Sequence, residues 1–201
     1  MKDVFYQLDN PYCLTTSLDL DEHNRQQMIK IIEQQLPYAN YKGGYTFVVR
    51  DPDHNFAGVY NRFFEIANEI FKPFDLSVLQ RNWCWANVYN KNGYGEEGYV
   101  SNLHDHRYTC SINGVFYLNV PDNIQGKEGG LIIEYQGKEN IYIPENLDLV
   151  IIPSWMPHEP LLHSSDQNRI SINMEISTVQ PVEEIYTIDR IMKICKPQIN
   201  V

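Results

Sequence analysis

The sequence predicts a mainly β chain with helical support (α+β): an antiparallel sandwich or barrel covered by two N-terminal helices. Three observations carry that expectation. From about Val78 onward, short strand-like runs recur between turn residues. The last run alternates cleanly, with Arg169, Ser171, Asn173 and Glu175 on one face and Ile170, Ile172, Met174 and Ile176 on the other. The first 75 residues instead carry the three- and four-residue apolar spacing of helices. One face of the last strand needs apolar cover, which the helices can supply. Within a barrel, its polar face can line a pocket.

Ser17 to Glu22 reads as a helix start, with small polar caps and acids in the first turn. Met28, Ile31, Ile32 and Leu36 follow at helical steps as far as Pro37. A strand is expected over Tyr45–Arg50. A second helix is expected from about Asn55 to Phe71, with Val59, Phe63, Ile66, Ala67 and Ile70 as its apolar stripe and Pro73 as its stop. Strands are then expected over Arg81–Tyr89, Ser111–Val120, Leu131–Tyr135, Asn140–Ile143, Leu147–Ile152 and Arg169–Ser177. Asn92-Gly93, Pro121-Asp122-Asn123, Gly129-Gly130 and Pro153 punctuate them. A short amphipathic segment near Val182–Ile194 reads as a closing helix.

A chain of 201 residues fits one domain and buries roughly 70% of the surface its unfolded form exposes. The expected organisation is helical support with one or two strands over 1–77, a β core over 78–180 and a C-terminal segment over 181–201. Sixteen Lys and Arg against 26 Asp and Glu leave a net charge of −10. That disfavours nucleic acid and anionic membranes as partners, since both are bound by clustered cations. Cys13, Cys84, Cys110 and Cys195 are scattered without a C-x-x-C pair, which excludes a zinc ribbon or a thioredoxin-type site. No window approaches the roughly 20 apolar residues of a membrane span, and the first residues lack a signal-peptide core. The expectation is a soluble, reduced, cytoplasmic protein, in the host cytoplasm if phage-encoded.

Three of the six histidines belong together. His104 and His106 are two residues apart, so on an extended segment they point the same way. His158 follows 54 residues after His104, just beyond a strand-like run. Imidazoles on two strands of a small barrel can converge on one metal and leave positions open for substrates. A lone histidine is more often a packed or surface residue than a ligand, so the company decides. Arg169 lies 11 residues past His158, and Ser171 two further on, both on the polar face of the last strand. A buried arginine needs an anionic partner, and its planar fork suits a carboxylate. The spacing therefore places a metal at one end of a pocket and a carboxylate anchor at the other. A dicarboxylate that also chelates the metal would span the two.

These residues resemble the Fe(II)/2-oxoglutarate-dependent oxygenases. More narrowly, they are similar to a group of such oxygenases common in phage and marine bacterial genomes. The similarity rests on Trp85-Ala86-Asn87-Val88, His104-x-His106, Asn113 to Asn119, Gly129-Gly130-Leu131, Pro153-Ser154-Trp155-x-x-His158 and Arg169-Ile170-Ser171. Tyr117-Leu118-Asn119 also looks like the corresponding strand of prolyl hydroxylases. The resemblance spans about half the chain. It implies a double-stranded β-helix, or jelly roll, with the N-terminal helices packed on the larger sheet. It also implies Fe(II), 2-oxoglutarate as cosubstrate and ascorbate as a reductant. The reaction implied is hydroxylation of a C–H bond, with succinate and carbon dioxide released. A prolyl residue in a peptide or protein is the substrate it favours, with a free amino acid or another small metabolite as the other candidates. Carried over, His104 and His158 are iron ligands, and Arg169, Ser171 and Tyr117 hold the cosubstrate. The chain departs from the superfamily at the middle ligand, where His106 stands in place of a carboxylate. Either three imidazoles hold the iron or Asp105 rotates in; alternation along an extended segment favours His106.

Other residues carry weaker expectations. Asn87 and Tyr89 are candidates for the substrate entrance, as is Trp155 before the distal histidine. Asn90 to Ser101 reads as a loop able to cover the site. His23 and His163 read as surface residues, His54 as part of the second helix start, and Cys110 as a small core residue. Two rival readings remain. A cupin-type metal-dependent dioxygenase or isomerase shares the H-x-H pair, but Arg107 to Ile112 lacks the glutamate that cupins place there. A non-catalytic jelly-roll binding module would have lost ligand positions, and none is lost.

Overall fold

Helix starts and strand alternation place the elements of this chain, and tertiary pairing corrects them at a few points. The computed structural model describes residues 6–7, 13–36, 45–48, 54–71, 79–91 and 102–178. The expected closing helix, most of the loop up to Ser101, and Cys195 lie outside the described residues.

Asp21 caps helix α1 (Glu22–Gln35), its carboxylate accepting the Asn24 backbone N–H at 2.9 Å. That satisfies one of the donors a helix start leaves open. Met28, Ile29 and Ile32 form its buried stripe, while Ile31 is only half-buried. Arg25 reaches from α1 to donate to the Leu118 carbonyl at 3.0 Å. Helix α2 (His54–Phe71) buries Phe56, Val59, Phe63, Ile66 and Ala67. This is the expected stripe extended by one turn towards the N-terminus; the Ile70 side chain lies outside the described part.

The strands are β1 (Tyr6–Gln7), β2 (Leu14–Ser17), β3 (Tyr45–Val48), β4 (Leu79–Tyr89), β5 (Ile112–Asn119), β6 (Leu131–Tyr135), β7 (Lys138–Tyr142), β8 (Asp148–Pro153), β9 (His158–Pro160) and β10 (Arg169–Thr178). Among the described residues they form two antiparallel sheets. One has seven strands in the order β1-β2-β8-β5-β10-β4-β3, and the other three in the order β7-β6-β9. Three strands were not expected: β1, two residues paired with β2, and then β2 and β9. Ser17 ends β2 instead of opening the helix, because Leu14–Ser17 pairs with Ile151–Asp148 of β8. The three residues of β9 are too few to show a period, and their pairing with β6 defines them.

Strand β10 lies between β4 and β5 near the middle of the larger sheet. Its apolar face joins Ile170, Ile172, Met174 and Ile176 to Met28 and Ile32 of α1 and Phe63 and Ile66 of α2 in one cluster. The contact is close at Gly114 of β5, where an added Cβ would lie 2.8 Å from the Phe63 ring. The opposite face of the sheet carries a second cluster, in which Val115 and Tyr117 of β5 and Val150 and Ile152 of β8 meet Leu131 and Ile133 of β6. The polar residues of β10 share this second face. In register, Arg169 faces Tyr89, Ser171 faces Asn87 and Tyr117, Asn173 faces Trp85 and Val115, and Glu175 faces Asn113. Between Met174 and Ile176 the pairing with β4 slips, since Met174 opposes Cys84 but Ile176 opposes Arg81. No helix among the described residues is long and apolar enough to cross a membrane.

Candidate active site

Main-chain pairing brings the three histidines together. His104 and His158 exchange both backbone hydrogen bonds, at 3.1 and 2.9 Å, extending the smaller sheet past β9. The His106 N–H donates to the Ser154 carbonyl at 2.7 Å. One ring nitrogen from each of His104, His106 and His158 lies within 4.8 Å of the others. The ring centroids are 4.6 to 5.2 Å apart.

The other ring nitrogens are committed. Nδ1 of His104 donates to the Asn102 carbonyl at 2.8 Å, and Nδ1 of His158 to the Met156 carbonyl at 3.1 Å. Nδ1 of His106 donates to Glu175 Oε1 at 2.9 Å. Carbonyl and carboxylate oxygens only accept, so each Nδ1 carries a proton and Nε2 is the nitrogen left to face the cluster. His106 Nε2 is buried without a hydrogen-bond partner. Burial, and then the two neighbouring imidazoles, hold His158 down to about 3. Burial also lowers His104. Neutral imidazoles with converging lone pairs are what a borderline divalent cation takes from histidine. Asp105 is turned away, paired with Arg107 at 2.6 Å, so His106 occupies the position that alternation favours.

Arg169 stands at the other end of the polar row. It is 1% exposed, yet among the described residues no carboxylate pairs with it. One guanidinium N–H donates to the Gly129 carbonyl, while Nε has no partner. The guanidinium carbon lies 4.6 Å from the Tyr89 ring centre and 5.6 Å from that of Tyr117. Gly129 sits close to it with φ of +66°, and an added Cβ there would be 3.6 Å from Arg169 Cδ. The Tyr117 hydroxyl is buried without a partner, and burial pushes its phenol up to about 12. It is therefore a neutral donor at ordinary pH. Ser171, its cross-strand neighbour, is buried as well. An uncompensated guanidinium beside two hydroxyls is a site for an anion, because leaving the charge unpaired is costly.

The remaining expectations divide. Tyr89 and Asn87 belong to this row, Tyr89 buried against Arg169 and Asn87 half-buried. Trp155 packs near Tyr135, with ring centres 6.4 Å apart, at the border of the second apolar cluster. Cys110 is buried as expected. His163 corrects the sequence reading: it is 3% exposed, and Nε2 donates to the Tyr89 carbonyl at 3.2 Å. A loop residue shows no period, so its burial left no trace in the sequence. Asn113 and Asn173 also lie in the row with buried, unpartnered side-chain atoms. Alternation along the last strand placed Asn173 on the polar face without a role.

No protein-family model matches the chain. No curated protein matches either. Solved structures do. The chain is similar to a prolyl hydroxylase from Trichoplax adhaerens in complex with a hypoxia-inducible-factor peptide fragment, with a TM-score of 0.67 at 12% identity, covering 89% of each chain. It is similar to a Pseudomonas putida prolyl-4-hydroxylase, with a TM-score of 0.63 at 14% identity, covering 82% of this chain and 91% of that one. An oxidoreductase of the 2OG-Fe(II) oxygenase family from Burkholderia pseudomallei aligns with a TM-score of 0.59 at 14% identity, over 81% and 84%. The fold is that of the 2OG-Fe(II) oxygenases. Within this oxygenase fold the chain is mostly β, with two helices and antiparallel sheets among the described residues, and it carries an H-x-H triad.

Proposed function

We propose that the chain is an Fe(II)- and 2-oxoglutarate-dependent dioxygenase on a double-stranded β-helix, with His104, His106 and His158 as iron ligands. One observation carries the reading. A three-imidazole cluster and a buried arginine without a carboxylate lie along one polar row inside an oxygenase fold. Arg169, Ser171 and Tyr117 would hold the distal carboxylate of 2-oxoglutarate. The guanidinium supplies charge, and the two hydroxyls supply donors. Tyr89 and Tyr117 keep the guanidinium plane in place through their ring faces. The backbone rung at His104 and His158 and the Nδ1 acceptors aim three Nε2 atoms at one point. The apolar cluster around Val115, Val150 and Ile152 lies on the same side of the larger sheet and would limit water there. Iron and 2-oxoglutarate held there would use dioxygen to hydroxylate a C–H bond, one oxygen atom going to the substrate and the other to succinate, with carbon dioxide released.

A prolyl residue in a peptide or protein is the proposed substrate. Similarity to two prolyl hydroxylases, one in complex with a peptide, supports it. Asn87, Tyr89 and Trp155 are the residues proposed to meet it.

Anaerobic addition of Fe(II) and then 2-oxoglutarate should raise a weak visible charge-transfer band, and air should convert 2-oxoglutarate to succinate. Neither signal appearing sinks the reading. Arg169→Met keeps the apolar stem between the tyrosine rings. It should weaken 2-oxoglutarate binding at least about tenfold, the loss of one or more hydrogen bonds to a charged group, and leave metal affinity unchanged. His158→Ala should lose the metal. Prolyl peptides should stimulate succinate formation over the peptide-free rate; equal stimulation by proline-free peptides would remove the substrate assignment.

A further inference from the structure

The buried carboxylate of Glu175 has no assigned role, and it is the acidic group in contact with the imidazole cluster. It is 2% exposed. It sits where the register of β10 against β4 slips, the kind of irregularity that re-aims a side chain. The Tyr60 hydroxyl donates to its backbone carbonyl from α2. Its Oε1 accepts from His106 Nδ1 at 2.9 Å and from the Thr109 hydroxyl at 2.7 Å, and Oε2 has no partner. Among the described residues every hydrogen bond to this carboxylate, one from the Cys110 thiol included, comes from the short segment that carries His106. No lysine or arginine among the described residues comes within ion-pair distance; His106 alone does. A buried carboxylate without a cation is costly. The nearest place for one is across the imidazole ring, at His106 Nε2.

We infer that Glu175 is a positioning residue for the metal. It fixes the tautomer and plane of His106 and returns, one ring removed, the negative charge that a third imidazole withholds from a divalent cation. The inference rests on the three-histidine reading and deepens it. A carboxylate directly on the metal is replaced by a carboxylate–imidazole relay, with bulge, helix and loop all arranged around the acid.

Co(II) titration followed by visible absorption tests this without turnover. Glu175→Gln keeps an acceptor but loses the charge; Glu175→Leu loses both. Cobalt affinity should fall about 10- to 100-fold, the usual cost of losing such a partner, with Leu worse than Gln and the absorption bands shifted. Metal-free thermal stability of Glu175→Gln should hold, since its amide oxygen still accepts from His106 Nδ1 and Thr109. In a His106→Asp background, Glu175→Gln should not weaken cobalt binding, because no imidazole remains to relay the charge. Unchanged affinity in both single variants overturns the inference. So does a parallel fall of metal-free stability and affinity that persists in the His106→Asp background, which marks a structural role. Failure of the underlying reading looks different: the native chain and His158→Ala would then both fail to bind cobalt.

Discussion

Tyr117 separates folding from binding within a single side chain. Its hydroxyl is buried without a partner, a state that costs about 1–3 kcal/mol. Tyr117→Phe keeps the ring against Arg169 and removes the unsatisfied atom. Denaturant unfolding should show the ligand-free variant unchanged or stabilised by about 1 kcal/mol. Its affinity for 2-oxoglutarate, measured by calorimetry, should fall by about 1.5–3 kcal/mol, the range for a hydrogen bond to a charged group. Equal affinity would remove Tyr117 from the anchor. His163 makes a second case. Burial, ahead of the opposing pull from its Tyr89 hydrogen bond, holds it below the usual histidine range; Arg169 pushes it the same way and Glu128 the other. Its proton binds the unfolded chain first. Its contribution to stability is thus complete above about pH 6.5 and is lost as pH falls from there. Near pH 5, His163→Gln should reduce the slope of stability against pH by up to about 1.36 kcal/mol per unit.

The contact between β5 and α2 is tight enough to be tested by one methyl group. Gly114→Ala places a Cβ at 2.8 to 3.0 Å from three atoms of the buried Phe63 ring. The ring is fully buried between helix and sheet, so stability should fall by about 1–3 kcal/mol. Phe63→Leu in the same chain should recover part of that loss; no recovery would mean that the helix contact is not what Gly114 serves. The same elements show what a sequence reveals. The α2 stripe and the β10 alternation were legible because each repeats over several turns or residues, and repetition survives without tertiary knowledge. His104 and His106 were legible from alternation along an extended segment and Arg169 from that of β10, while His158 was read only from its company. β2 and β9 were not, since four and three residues carry no period and only pairing defines them. Glu175 was placed on the correct face, but its role depends on a bulge that alternation cannot foresee.

Taken whole, the larger sheet keeps two apolar clusters apart, one shared with the helices and one with the smaller sheet. The histidines and Arg169 lie on the second side. Phe63→Ala should therefore cost about 3–5 kcal/mol of stability while folded protein keeps its metal affinity. Metal itself should stabilise the native chain. At a hundredfold excess over its dissociation constant the gain is about 2.7 kcal/mol, read as a rise in the melting temperature that His158→Ala abolishes. A melting temperature indifferent to Fe(II), Co(II) and Ni(II) would argue against the site.

The rung between His104 and His158 is made of main-chain atoms alone, and main-chain atoms are indifferent to the side chains they carry. The spacing of those two positions is thus a property of the ladder, inherited by whatever residue stands there. Glutamate, cysteine or asparagine at either place would begin from the same origin and direction. The pair works as a socket, in which the donor chemistry can be exchanged while the frame stays as it is. His106, held by a side-chain acceptor as well as by its backbone, differs: any exchange there also changes what Glu175 faces.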